Sequence, residues 1–331
     1  MQSILRVRQP FKLSVPILNR RLMSSSGAPF LLTPQQVHTL IEKEKVSLLD
    51  VSWFMPNSPR QPRQEFISKR IPGAQFLDLD DVASIHELGL KHMMPQQRAF
   101  ADACEKFGIK TDSHVVIYDT HGIFSSPRAL FMFRSFGHHR SSVLDGGLPA
   151  WLAEGLPMES GSPSPVQTTE YPTPTIQTKS LRSYEQIVAN STLDPSVNPN
   201  ADLVLDARPR RRYLGTDPEP RPGLSSGHIP HSLSLPFNVF LRQNLGLDGT
   251  TFTTFLPQAD IRRVLEDAVG PERAELITNG VLSVTTSCGS GMTAGILWLG
   301  LKLLGVEKIS LYDESWTGYA MRPTSRIEKS H

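Results

Sequence analysis

Two cysteines occur in this sequence, Cys104 and Cys288, and only the second stands in surroundings that suit chemistry. It lies in the run Thr286-Ser287-Cys288-Gly289-Ser290-Gly291-Met292-Thr293-Ala294, just after a strand-like stretch and before a long apolar helix expected from Met292 to Leu304. Gly289 and Gly291 admit positive φ angles, so the backbone N–H groups along Gly289, Ser290, Gly291, Met292 and Thr293 can curl around one point. That point sits at the positive end of a helix dipole, a setting that favours thiolate over thiol. Cys104 shares a helical face with Phe100, Ala103 and Phe107 and is expected to be core.

Several readings of Cys288 compete, beginning with a plain buried cysteine in a glycine-rich connection. A phosphatase loop of this kind needs an arginine six residues on to clamp phosphate, and Ala294 stands there. A dithiol oxidoreductase wants a resolving cysteine nearby, and none lies within 180 residues. A cysteine protease needs a paired histidine; His228 and His231 are at hand, but no motif ties either to Cys288. What remains is a thiolate that accepts an atom or group and passes it on. A terminal persulfide sulfur is a compact anion that a ring of backbone N–H groups would suit.

The elements that must position this loop follow a grammar written twice. Thr33-Pro34-Gln35-Gln36 opens a helix with proline at its first position and a capping box, and Ser183-Tyr184-Glu185-Gln186 repeats the capping logic. Strands are expected at 48–53, 114–119 and 142–145, with helices at 96–107 and 126–136; the second half supplies the strand at 202–208. Ile229-Pro230 follows that strand as Ile71-Pro72 follows the first. A shift of 168 residues sets Val116 on Val284, Gly137 on Gly305, Val143-Leu144-Asp145 on Leu311-Tyr312-Asp313 and Thr120 on Cys288. Such a pattern implies two tandem copies of one α/β unit, with loops at the carboxyl ends of the strands building the site. The expected divisions are a leader at 1–26, a first domain without a nucleophile at 30–156, a Pro/Ser/Thr-rich linker at 157–180 and a second, catalytic domain at 181–325.

At 331 residues, 39% hydrophobic and 20% charged, the chain is expected to be globular, with no apolar run approaching the roughly 18 residues of a membrane-spanning helix. Two cysteines exclude a disulfide framework and a thiolate-rich metal site. Five basic side chains, Arg6, Arg8, Lys12, Arg20 and Arg21, precede the first acid, Glu42; taking them from the net +2 leaves −3. The mildly acidic body offers no footprint for nucleic acid, and the Arg- and Ser-rich leader has the composition of a mitochondrial transit peptide, with the cytoplasm as a second possible location.

Leu49-Asp50-Val51-Ser52-Trp53, Arg70-Ile71-Pro72-Gly73-Ala74, Val115-Val116-Ile117-Tyr118-Asp119, Leu144-Asp145-Gly146-Gly147 and Gly227-His228-Ile229-Pro230, together with the Cys288 loop, resemble the two-domain rhodanese (thiosulfate sulfurtransferase) superfamily. The loop is similar to the Cys-Gly-Ser-Gly-Val-Thr of its mercaptopyruvate sulfurtransferases, with Met292 for valine; thiosulfate-preferring members carry cations after the cysteine. The resemblance implies two tandem rhodanese-like domains, each a mainly parallel sheet flanked by helices. It implies sulfur transfer from 3-mercaptopyruvate through a Cys288 persulfide to an acceptor thiol such as thioredoxin, with no cofactor. It aligns Arg212 and Arg221 with the arginines that hold the substrate, whose planar forks suit a carboxylate; Arg210 and Arg211 are expected to be solvated. Ser290 could relay a proton or simply bond neighbouring backbone. Thiosulfate transfer, or relay of sulfur to a protein of tRNA thiolation, are the alternatives that the same loop would serve. One departure stands out: the family's histidine and aspartate near the first Ile-Pro-Gly are Arg70 and Gln61 here, so Arg70 is expected either to add positive potential at the domain interface or to be an exposed structural residue.

Overall fold

The computed structural model describes residues 27–330 apart from 247, 248 and 250; the leader expected at 1–26 lies outside the described residues. The first half runs β1 (Leu31–Leu32), α1 (Pro34–Lys43), β2 (Val46–Asp50), α2 (Pro62–Ser68), β3 (Gln75–Phe76), α3 (Leu79–Val82), α4 (Gln97–Lys106), β4 (His114–Tyr118), α5 (Ser126–Ser135), β5 (Ser141–Leu144) and α6 (Gly147–Ala153). The second runs β6 (Leu181–Arg182), α7 (Tyr184–Asn190), β7 (Leu203–Asp206), α8 (Arg210–Leu214), β8 (Leu233–Ser234), β9 (Leu241–Leu245), β10 (Thr251–Phe255), α9 (Gln258–Val269), α10 (Pro271–Thr278), β11 (Val284–Ser287), α11 (Ala294–Leu303), β12 (Ile309–Tyr312) and α12 (Ser315–Met321).

The strands form two five-stranded sheets, ordered β1-β5-β4-β2-β3 and β6-β12-β11-β7-β8, in which every pairing is parallel. The two orders are the same once β4 is matched to β11 and β5 to β12. A shift of 168 residues carries α5, β5 and α6 residue for residue onto α11, β12 and α12. Parallel strands covered on both faces are buried throughout, and all five residues of β4 and all four of β5, β7, β11 and β12 are buried, their Ser, Thr and Asp side chains included. Both capping boxes form: Thr33 and Ser183 each accept the N–H of the residue three places on, and the glutamine there accepts the cap N–H in return.

Helices α5 and α11 pack side by side at the seam, each between its own sheet and the other helix and therefore buried nearly all round. Phe131 meets Trp298 edge to face at 5.3 Å, and a Cβ on Gly295 would come within 2.8 Å of the Arg128 nitrogen, so only glycine allows the approach. Cys104 is buried against the same continuous core, and burial pushes its thiol well above the usual range, which makes it inert packing. The antiparallel hairpin β9–β10 leaves the second half and lands on the first: the Phe255 N–H donates to Asp145 Oδ1 at 2.9 Å, and Thr253 abuts Gly122.

The proline-rich stretch at 157–180 is strapped onto the first half. Glu159 pairs backbone to backbone with Arg70, its carboxylate accepts the Gly73 N–H at 2.7 Å, and the buried Tyr171 hydroxyl meets His138 at 3.0 Å. Arg70 is fully buried beneath it, donating to Glu159, Gly161 O and Ser162 O. Both expectations for Arg70 are thereby corrected: it is neither exposed nor a source of field at the domain interface, because its charge is spent on the strap.

One buried ion pair crosses the seam at the carboxyl ends of the strands. Arg128 Nη2 donates to Asp313 Oδ1 at 2.5 Å, and Asp313 Oδ2 accepts the Met94 N–H at 2.8 Å. Removing one partner of such a pair strands the other charge, whereas replacing both is far better tolerated. Asp313→Asn is expected to lower stability by about 3 kcal/mol in urea unfolding, with much of the loss recovered in the double variant Arg128→Met/Asp313→Leu. A single-variant cost below about 1 kcal/mol would mean that water already screens the pair.

Candidate active site

Cys288 follows the last residue of β11 and is 2% exposed at the floor of a cleft of about 230 Å³. Its loop is gripped by the start of α12. The Cys288 N–H donates to Ser315 Oγ at 3.1 Å, Trp316 N–H donates to Cys288 O at 2.9 Å, and Thr317 donates through both N–H and Oγ1 to Gly289 O at 2.9 and 2.5 Å. Ser315 adopts a left-handed φ of 51° to place its hydroxyl there. With these carbonyls turned outward, the N–H groups of residues 289–294 find no protein acceptor among the described residues. α11 begins at Ala294, so the same N–H groups lie at the positive end of its dipole.

The two glycines do different work. Gly291 has φ +83°, and a Cβ there would lie 2.7 Å from the Asp313 carbonyl oxygen, so both conformation and space demand glycine. Gly289 does not take a positive φ, which corrects the sequence expectation. A Cβ there would meet Arg212 Nη2 at 3.5 Å and Arg221 Nη1 at 3.8 Å, ordinary van der Waals distances. Both guanidinium groups thus face the cysteine loop across Gly289. Met292 is buried and contributes its backbone N–H, and Thr293 starts α11. The Ser290 hydroxyl meets no protein partner among the described residues and stands between this cleft and a neighbouring one of about 270 Å³.

The arginines are organised by a residue that sequence reasoning passed over. Arg208, just past β7, is buried, bound bidentately by Asp206 and stacked 4.2 Å over Trp316. It donates at 2.8 Å to the buried Glu219, which also binds the Arg212 guanidinium. Arg221 donates to Thr317 Oγ1 at 3.1 Å and has no carboxylate partner among the described residues. Three guanidinium groups against two carboxylates leave one excess positive charge. Arg211 is 74% exposed and paired with Asp217, and Arg210 is exposed, as expected of a solvated run. His228 stacks on Tyr213 at 4.1 Å and bonds its carbonyl, a structural role away from Cys288. The first half adds Trp53 and Phe124 to the cleft, stacked at 6.3 Å; only the position of Trp53 just past β2 hinted at this.

The matching loop of the first half shows what such a cradle holds. Thr120 stands where Cys288 does, its hydroxyl accepting from Arg60 at 3.0 Å. The residue before it, Asp119, turns its carboxylate inward: Oδ2 accepts the N–H groups of Phe124, Ser125 and Ser126 at 2.9 to 3.0 Å, and Oδ1 accepts that of His121. The 168-residue shift puts these donors on Met292, Thr293, Ala294 and Gly289, and Asp119 on Ser287, which has no carboxylate. One copy satisfies its ring of donors with its own anion, and in the other the ring beside the cysteine has no protein acceptor among the described residues.

Comparison with known proteins agrees with this geometry. The Rhodanese-like domain family matches residues 33–154. The 3-mercaptopyruvate sulfurtransferase of Rattus norvegicus is 36% identical over 94% of this chain and 95% of its own. The mitochondrial thiosulfate/3-mercaptopyruvate sulfurtransferase 1 of Arabidopsis thaliana is 35% identical over 88% and 76%. The crystal structure of the Tum1 protein from Saccharomyces cerevisiae superposes with a TM-score of 0.76 at 26% identity, covering 91% of this chain and 98% of that one. On this likeness along nearly its whole length, the chain belongs to the rhodanese-fold family of 3-mercaptopyruvate and thiosulfate sulfurtransferases.

Proposed function

We propose that the chain moves a sulfane sulfur from 3-mercaptopyruvate through a Cys288 persulfide to a thiol or other nucleophile, releasing pyruvate. The observation that carries this reading is the ring of N–H groups at 289–294 around Cys288, which no protein group among the described residues accepts from, set beside the Arg221 guanidinium, which has no carboxylate partner there. Mercaptopyruvate brings one carboxylate to that one excess charge and a ketone oxygen to Arg212. The Cys288 thiolate attacks the substrate sulfur, an S–S bond forms and the C–S bond breaks. Its electrons pass into the enolate of pyruvate, whose charge Arg212 and Arg221 stabilise. The proton on the transferred sulfur is delivered to the methylene carbon, with Ser290 placed to relay it, and the persulfide anion settles into the ring. An acceptor thiolate, thioredoxin among them, then attacks the terminal sulfur and regenerates the Cys288 thiolate, giving ping-pong kinetics.

The supporting frame is two units, at 30–156 and 181–325, joined by the 157–180 strap, the first serving as cleft wall. Thiosulfate, a dianion, fits the same chemistry less well in a loop without cations. Relay to a protein acceptor, for instance in tRNA thiolation, would use the same persulfide. The acid-free leader favours a mitochondrial address, which imaging of the full chain fused to a fluorescent protein would test.

Mass spectrometry after mercaptopyruvate treatment is expected to find one added sulfur on Cys288, and Cys288→Ser to transfer none while staying folded; a persulfide on Cys104 alone would overturn the assignment. Ser287→Asp should reproduce the first half's filled ring and lower kcat/KM by at least ~100-fold, the scale of a lost oxyanion-type site, without lowering the melting temperature. Ser287→Ala should leave transfer near its native rate, and comparable loss in both variants would mean that the serine itself is needed. Gly289→Arg combined with Ser290→Lys is expected to raise the ratio of thiosulfate to mercaptopyruvate turnover, and an unmoved ratio contradicts the role given to loop charge.

A further inference from the structure

At the other end of the seam, by the amino ends of β11 and β12, lies a cavity of about 530 Å³. Five cations line it, Arg134, Lys179, Arg182, Lys302 and Lys308, against one lining carboxylate, Glu307. Arg182 is committed to Asp202 at 2.8 Å. The other four have no carboxylate partner among the described residues. Arg134 donates only to the carbonyls of Ala28 and Ser141, and its Nε is buried without a partner. Lys302 Nζ reaches only the Glu307 carbonyl, at 3.3 Å.

Cations in the last turn of a helix offset its dipole, and Arg134 and Lys302 end α5 and α11. Two helix ends supply roughly one negative charge between them, which leaves an excess of about two after Glu307 and Asp202 are also counted. Lys179 and Lys308 are exposed at the rim, whereas Arg134 and Lys302 are partly buried, and partial burial of cations is unfavourable unless an anion joins them. Burial holds Arg134 down to about 10, and burial together with the Arg134 charge holds the Lys302 ammonium below its usual value.

We propose that this cavity is a binding site for a small oligoanion carrying two or more phosphate-type charges, such as a triphosphate chain. Such a ligand would bridge Arg134 of the first half, Lys302 and Lys308 of the second and Lys179 of the strap, fastening the seam at the end remote from Cys288. The volume admits a triphosphate with room for a nucleoside.

Calorimetric titration of the full chain with tripolyphosphate, beside sodium chloride at equal ionic strength, tests the proposal. Saturable binding and a rise in melting temperature are expected with tripolyphosphate only. The variant Lys302→Met/Lys308→Gln should weaken binding at least ~10-fold, about the worth of one charge-assisted bond, while its ligand-free sulfur transfer stays at the native rate. ATP in parallel separates the sources: equal affinity assigns the site to a phosphate chain, and tighter binding to a nucleotide. Effects reproduced by chloride, or undiminished in the variant, overturn the site.

Discussion

The contact between the Gly291 backbone and the Asp313 carbonyl decides the shape of the cysteine loop, and Asp313 is held by the opposite half of the molecule. Its carboxylate is divided between Arg128 and the Met94 N–H, both from the first half. The carbonyl of the same residue stands where a Cβ on Gly291 would go. A loop whose N–H groups all point inward has no internal bonds to hold it, so its conformation must be imposed from outside. Here that is done by the start of α12 on one side and the seam on the other. The first half therefore shapes the loop of the second without supplying a nucleophile.

The dependence runs both ways. Asp145 occupies in the first half the place of Asp313 in the second, and it accepts the Phe255 N–H from the hairpin β9–β10. Each half thus sends the chain that follows its third strand, residues 83–96 in one and 241–255 in the other, across to an aspartate beside the other's loop. With α5 and α11 packed through Gly295 and a core that runs across the seam, the two halves behave as one body. Oligoanion binding at the basic end of that seam would act on the same body.

Local features were legible in the sequence and remote ones were not. The two capping boxes, the Cys104 stripe, the glycine ends of α5 and α11 and the 168-residue shift all depend on neighbours a few residues apart, and each appears at the expected place. Cys288 and the two arginines are brought together as the family resemblance implied. What escaped was set by chain brought from far away. Arg70 looked like a free charge until the strap at 157–180 covered it, and proline-rich composition hid that strap because its ties are made by side chains and single backbone bonds. Gly289 was credited with a positive φ that it does not adopt, and the two guanidinium groups that face it come from α8 and the loop after it, which no local pattern records.

Asp119 carries the contrast between the halves furthest. Duplicated units begin with the same ring of backbone donors, because the ring follows from a strand, a tight loop and a helix start. Buried N–H groups are costly to leave unpaired, since each would forfeit the hydrogen bond it had in water. The first half removes that cost with its own carboxylate and gains a rigid wall. The second has Ser287 at that place, and on the proposed mechanism its anion arrives with the substrate and leaves with the acceptor. The same free energy that stabilises one copy permanently is available in the other only while sulfur is bound, and this is what a carrier of sulfur requires.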